Sequence, residues 1–160
     1  MLATELLTGI GLVIDDEIHE GGKNIEKITS QPIKEHIPVM YYDDLPVDNE
    51  RKYFTSISFV LLDWKLNNVP GPVPSSKINE NIKFIREINS TCYCPIFIFS
   101  NEDETDIIEA LEKNKLYETG SYNNILVRKK SEVETEGDLF NELENWISKN
   151  PSVYTLKKWE

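Results

Sequence analysis

Five short apolar runs, each halted by polar residues, punctuate the chain. Ile10-Gly11-Leu12-Val13-Ile14 stops at Asp15-Asp16, and Ile37-Pro38-Val39-Met40-Tyr41-Tyr42 stops at Asp43-Asp44. Ile57-Ser58-Phe59-Val60-Leu61-Leu62 ends at Asp63, and Pro95-Ile96-Phe97-Ile98-Phe99 at Ser100-Asn101. The last, Asn124-Ile125-Leu126-Val127, runs into Arg128-Lys129-Lys130. Uninterrupted runs of this length, rich in β-branched and aromatic residues, suit strands covered on both faces, as in a parallel sheet.

Helical periodicity fills the gaps. Ser76 to Ile88 places Ile78, Ile82, Ile85 and Ile88 on one face, with Ser75 or Ser76 as the capping residue. Glu104 to Tyr117 turns Ile107, Ile108, Leu111 and Leu116 inward. Gly137 to Lys149 does the same with Leu139, Phe140, Leu143, Trp146 and Ile147, and Asn150-Pro151 closes it. The pattern from Ile18 to Ile28 is weaker, broken by Gly21-Gly22, and Asp48 to Thr55 has room only for a short helix. A proline-rich stretch, Asn67 to Pro74, follows the third run and reads as a stiff loop.

Strands alternating with helices imply right-handed βαβ units. Five of each predict an α/β fold, a flavodoxin-like doubly wound five-stranded parallel sheet of order 2-1-3-4-5. Residues 1–150 form the domain, and residues 151–160, which show no pattern, read as a C-terminal tail or the start of a linker.

Composition narrows the function. The net charge of -11 opposes binding to nucleic acid or anionic membrane by this chain alone. No stretch approaches the ~20 apolar residues of a membrane span, and the N-terminus lacks the basic flank and cleavage site of a signal peptide. Cys92 and Cys94, one residue apart, are too close for an ordinary disulfide and too few for a zinc site, so a reducing cytoplasm is expected.

In open α/β sheets, ligands bind beyond the carboxyl ends of the strands, where the strand order reverses. Here that crevice lies between the first and third strands, which end in Asp15-Asp16 and Asp63. Ser100 and the Arg128-Lys129-Lys130 cluster come to the same edge. Carboxylates ~4 Å apart repel by about 4 kcal/mol at an effective dielectric of 20. A hard divalent cation with oxygen ligands relieves that repulsion. This reading requires Asp16 and Asp63 to face one another with no arginine or lysine filling the space between them.

Asp-Asp after the first strand, Asp after the third, Ser after the fourth and Lys after the fifth together resemble the response-regulator receiver family of two-component signalling. Val60-Leu61-Leu62-Asp63-Trp64-Lys65-Leu66 resembles its phosphoacceptor segment, Val13-Ile14-Asp15-Asp16-Glu17 its acidic pair, and Phe97-Ile98-Phe99-Ser100-Asn101 its hydroxyl-bearing strand. The resemblance spans about residues 8–148.

It implies that Asp63 takes a phosphoryl group from a sensor histidine kinase or a phosphotransfer protein. Asp15, Asp16, Asp63 and the backbone carbonyl of Lys65 would hold Mg²⁺. Lys129 would contact a phosphoryl oxygen, although Arg128 and Lys130 stay open because strand register is not readable from sequence. Ser100 would move toward the phosphate, and the surface from Glu104 to Lys149 would pass the signal to an output domain, a partner protein or a second copy. The only chemistry implied is self-phosphorylation and autodephosphorylation at Asp63.

Two departures from the family in the fifth strand, together with the proline-rich loop after the third, support another reading. No proline follows the basic cluster, and no aromatic residue precedes it by two positions. A non-phosphorylated pseudo-receiver that binds another protein is therefore the alternative. A Mg²⁺-dependent phosphohydrolase is a third reading, weakened because Lys65 stands where such enzymes place a second Asp. Asp43-Asp44 ends an edge strand and reads as a solvated turn. His19 and His36 share no ligand spacing, and Trp146 and Trp159 read as packing residues.

Overall fold

A computed structural model describes residues 2–66, 70–121, 123–133 and 138–159. In chain order the elements are α1 (Leu2–Leu6), β1 (Ile10–Ile14), α2 (Asn24–Lys34), β2 (Val39–Tyr42), α3 (Asp48–Arg51), β3 (Ile57–Leu62) and α4 (Ser75–Thr91). Then come β4 (Ile96–Ser100), α5 (Glu104–Lys113), β5 (Ile125–Lys129), α6 (Lys130–Val133), α7 (Asp138–Lys149) and α8 (Pro151–Trp159). The five strands are all parallel, in the order β2-β1-β3-β4-β5. This is the doubly wound α/β sheet that the apolar runs predict.

Because side chains alternate along a strand, the sheet divides its apolar residues between two layers. Val13, Phe59, Leu61, Phe97, Phe99 and Leu126 pack against α1, α2, α7 and α8. Leu12, Ile14, Val60, Leu62, Ile96, Ile98, Ile125 and Val127 pack against α4 and α5. Beside the first layer, Gly11 lies under the Phe59 ring, where an added Cβ would overlap the ring atoms. At the same level the β1–β3 register slips, so that Ile10 pairs with Ile57 but Gly11 with Phe59. Burying both faces of such a sheet contributes roughly 25 cal/mol per Å² of apolar surface removed from water.

Several helices differ from expectation. The first long helix begins at Asn24, after Gly22 has turned the chain at φ +78°, instead of at Ile18. Helix α4 has Pro74 at its cap and no capping side chain, so neither Ser75 nor Ser76 fills that role. Helix α5 is capped by Asp103, whose carboxylate accepts the Thr105 N–H at 2.8 Å.

Within residues 151–160, read as a tail or linker, Pro151–Trp159 forms helix α8, with Val153 buried in the α1–α7 layer. Proline stops α7 yet suits the first turn of the next helix, where its missing N–H costs nothing. No described helix is long and apolar enough to cross a membrane. The start of the last amphipathic pattern, Gly137, and residues 67–69 of the proline-rich stretch lie outside the described residues.

Candidate functional site

The hydrogen-bond ladder continues one residue beyond β1 and β3. Asp15 N–H donates to the Tyr42 carbonyl at 3.0 Å, and Asp63 N–H to the Ile14 carbonyl at 2.9 Å. Both aspartates therefore keep the alternation of their strands. Asp15 follows Gly11 and Val13, and Asp63 follows Phe59 and Leu61, so the two emerge on the same face of the sheet. They sit side by side at the switch point and are nearly inaccessible, 1% and 7% exposed.

The basic residue that meets them is Lys130. Its Nζ lies 2.6 Å from Asp15 Oδ2, 2.9 Å from Asp63 Oδ2 and 3.7 Å from Glu17 Oε2, and the residue is 1% exposed. Lys129, the residue expected from the sequence, is exposed, and its N–H donates to Glu104 Oε1 at 3.1 Å. Arg128 pairs with Glu142 at 3.1 Å. The physical reason for this correction is parity. Leu126 belongs to the face that carries Asp15 and Asp63, and counting by twos from it reaches Lys130; Lys129 pairs in register with Ser100.

Other groups complete the first ring. Asp15 Oδ1 accepts the Glu17 N–H at 2.9 Å, and Asp63 Oδ1 accepts the Lys65 N–H at 3.2 Å. Ser100, also 1% exposed, lies beside the Asp63 carboxylate and favours its charged form, and its hydroxyl oxygen accepts the Glu102 N–H at 3.4 Å. The Lys65 side chain turns away, donating to the Gly71 carbonyl at 2.6 Å and pairing with Glu102 at 3.3 Å. Expected residues Asp15, Asp63 and Ser100 are thus brought together. Lys65 touches Asp63 through its backbone N–H.

One carboxylate oxygen each from Asp15, Asp16 and Asp63 lies within 4.8 Å of the others. Asp16 and Asp63 thus face a common point, as the sequence reading requires. Asp15 Oδ2 is buried, and its partner is the Lys130 ammonium 2.6 Å away. Three converging carboxylate oxygens are a hard donor set that fits a divalent metal ion. Lys130 enters the cluster between Asp15 and Asp63, and its ion pairs among the described residues are to Asp15, Asp63 and Glu17. One ammonium already offsets part of the repulsion, so the cluster can hold a metal ion without electrostatics alone demanding one.

Ionisation in the cluster is set by burial acting against paired charge. Burial pushes the Asp63 carboxyl up to about 6, against the opposing pull of Lys130, with Asp15 adding to the rise. Burial likewise raises Asp15. Lys130 is held above the ordinary lysine range because Asp63 and Asp15 together outweigh its desolvation. For Asp15 and Asp63 burial outweighs the pull of the ammonium, whereas for Lys130 the two carboxylates outweigh burial.

No protein-family model and no curated protein matches the chain. Among solved structures, a fusion protein carrying amino acids 181–211 of the yeast Spc42 trimeric coiled coil is similar over 92% of this chain and 80% of its own. The two share 12% identity at a TM-score of 0.53. A de novo designed Rossmann 2x3 fold protein is similar over 89% of this chain and 91% of its own, at 17% identity and a TM-score of 0.47. At 12% identity the first likeness shows the fold alone, and a shared fold leaves function to be argued from the side chains.

Proposed function

We propose that this chain is a receiver-type module that accepts a phosphoryl group on Asp63 from the phosphohistidine of a sensor kinase or phosphotransfer protein. The observation that carries the reading is the setting of Asp63. It lies at the switch point, paired to Lys130 through Oδ2, touched by the Ser100 hydroxyl, and faced by Asp15 and Asp16. A carboxylate nucleophile in such a ring suits aspartyl-phosphate chemistry.

In the transfer, a carboxylate oxygen of Asp63 bonds to phosphorus as the bond from phosphorus to the donor nitrogen breaks, and the electron pair leaves with the imidazole. Asp63 has to react as the carboxylate, which its pKa of about 6 allows at neutral pH. Lys130, kept protonated by its two aspartates, places positive charge where the phosphoryl oxygens arrive, and Ser100 supplies a hydroxyl beside them. Mg²⁺, held by Asp15, Asp16, Asp63 and the Lys65 carbonyl, would neutralise charge on those oxygens. Replacement of the Lys130–Asp63 contact by one to the phosphoryl group would pass the change along β5 to the surface formed by α5 and α7.

Treatment with a small phosphodonor and Mg²⁺, followed by intact-mass measurement, tests this. Wild type gains one phosphoryl group and Asp63→Asn gains none; an unchanged wild-type mass sinks the reading. The burial of Asp63 and its existing tie to Lys130 favour a second reading, a pseudo-receiver that binds a protein partner without phosphorylation. It expects partner affinity to be indifferent to Mg²⁺ and to Asp63→Asn.

A further inference from the structure

Helix α4 turns an almost wholly apolar stripe toward the sheet, with Ile82, Phe84, Ile85 and Ile88 buried. Asn81 lies on that stripe, 2% exposed. An isoleucine there would extend the apolar face, whereas asparagine is a weaker helix former and its amide is costly to bury without a partner. Its Nδ2 donates to the Trp64 carbonyl at 2.7 Å. Trp64 directly follows Asp63 and is itself 2% exposed.

The carbonyl of Trp64 and the N–H of Lys65 belong to one peptide unit. That N–H donates to Asp63 Oδ1 at 3.2 Å. A peptide unit is planar, with its C=O and N–H pointing in opposite directions, so holding one end aims the other. Asn81 therefore reaches Asp63 through a single rigid plane.

The geometry points to Asn81 as a positioning residue, whose amide locks the Trp64–Lys65 peptide so that the Lys65 N–H stays on Asp63 Oδ1 and Oδ2 is left to Lys130. With its two oxygens tied to different donors, the carboxylate has one orientation in which to receive phosphorus. This inference rests on the acceptor reading of Asp63 and adds a residue to it from a helix that contributes nothing else to the ring. A purely structural role, satisfying a buried carbonyl, would stop at Trp64.

The test compares Asn81→Ala with Ile82→Ala, a neighbouring truncation that removes packing without touching the peptide. The first readout is the Lys65 amide, by ¹H–¹⁵N resonance and hydrogen exchange. The second is transfer from phosphoramidate at saturating Mg²⁺, split into the maximal rate constant and the donor concentration for half-saturation. In Asn81→Ala the Lys65 amide shifts and exchanges about tenfold faster, and the rate constant falls about tenfold with half-saturation unchanged. Asn81→Ser, which keeps a shorter donor, lies between, and it serves if the alanine variant does not fold. Ile82→Ala leaves both readouts at wild-type values.

A Lys65 amide or a rate constant unmoved in folded Asn81→Ala overturns the inference, as does Ile82→Ala reproducing the changes. If wild type accepts no phosphoryl group while the Lys65 amide still responds to Asn81, the acceptor reading falls and the positioning stands.

Discussion

Two acidic pairs end parallel strands on the same edge of this sheet, and they meet opposite fates. Asp15-Asp16 follows β1, which has neighbours on both sides; Asp43-Asp44 follows β2, which has one. Asp15 is buried against Lys130, while Asp43 and Asp44 are exposed, with Asp44 Oδ1 accepting the N–H of Leu45 at 2.8 Å in a turn. Residue type and strand-end position are alike. What differs is the position in the sheet order: at the switch point, walls from two strands exclude water, so charges must find partners, whereas at the edge water supplies them. Ionisation of Asp15 and Asp63 therefore depends on their burial and on Lys130.

The largest effect should come from removing the partner that makes the buried site tolerable. Lys130→Met leaves Asp15 and Asp63 facing each other without an ammonium and should cost about 3–5 kcal/mol in denaturant unfolding at pH 7. Lys129→Met, on an exposed residue, should stay within about 0.5 kcal/mol of wild type. Equal costs for the two would break the contrast between buried and solvated charge at this edge.

Next comes the pH dependence. The Asp63 carboxyl sits at about 6 in the folded chain against an ordinary 3.8. Between those values the folded chain holds more protons than the unfolded one, so this residue's contribution to stability falls as pH rises from about 4 through 6, then levels off. Its full span is at most about 3 kcal/mol. Denaturant midpoints of wild type and Asp63→Asn across pH 4 to 8 should therefore separate as pH rises, with the variant gaining and the gap flat above about pH 7. A gap independent of pH would refute the burial of a charged Asp63.

The smallest effect sharpens the comparison between the two pairs. Mg²⁺ at ten times its dissociation constant should stabilise the wild type by about 1.4 kcal/mol in thermal unfolding. Asp16→Asn should lose most of that gain. The double substitution Asp43→Asn and Asp44→Asn should retain it and leave stability in the absence of Mg²⁺ almost unchanged. Should the second pair prove as important as the first, sheet position would not be the deciding factor.

Much of this was legible from the chain alone. The first and third apolar runs coincide with β1 and β3, the other three fall within two residues of their strands, and the sheet order follows from alternation with helices. Asp15, Asp16, Asp63 and Ser100 were readable because strand ends at a switch point are where ligands gather. Helix α8 was missed because Pro151 reads as a stop before it reads as a start. Asn81 left a trace, a polar residue on an apolar helical stripe, but its partner lies 17 positions away.

Periodicity and composition by themselves determined the layered α/β sheet and the acidic character of its centre, because burial of alternating elements admits few arrangements. Only the tertiary structure decided which of three consecutive basic residues enters the site. Strand β5 is apolar on both faces up to Val127, so its sequence carries no mark of which face each side chain takes. That parity exists only once Leu126 has packed beside Phe97 and Phe99, and it sends Lys130 inward and Lys129 to water.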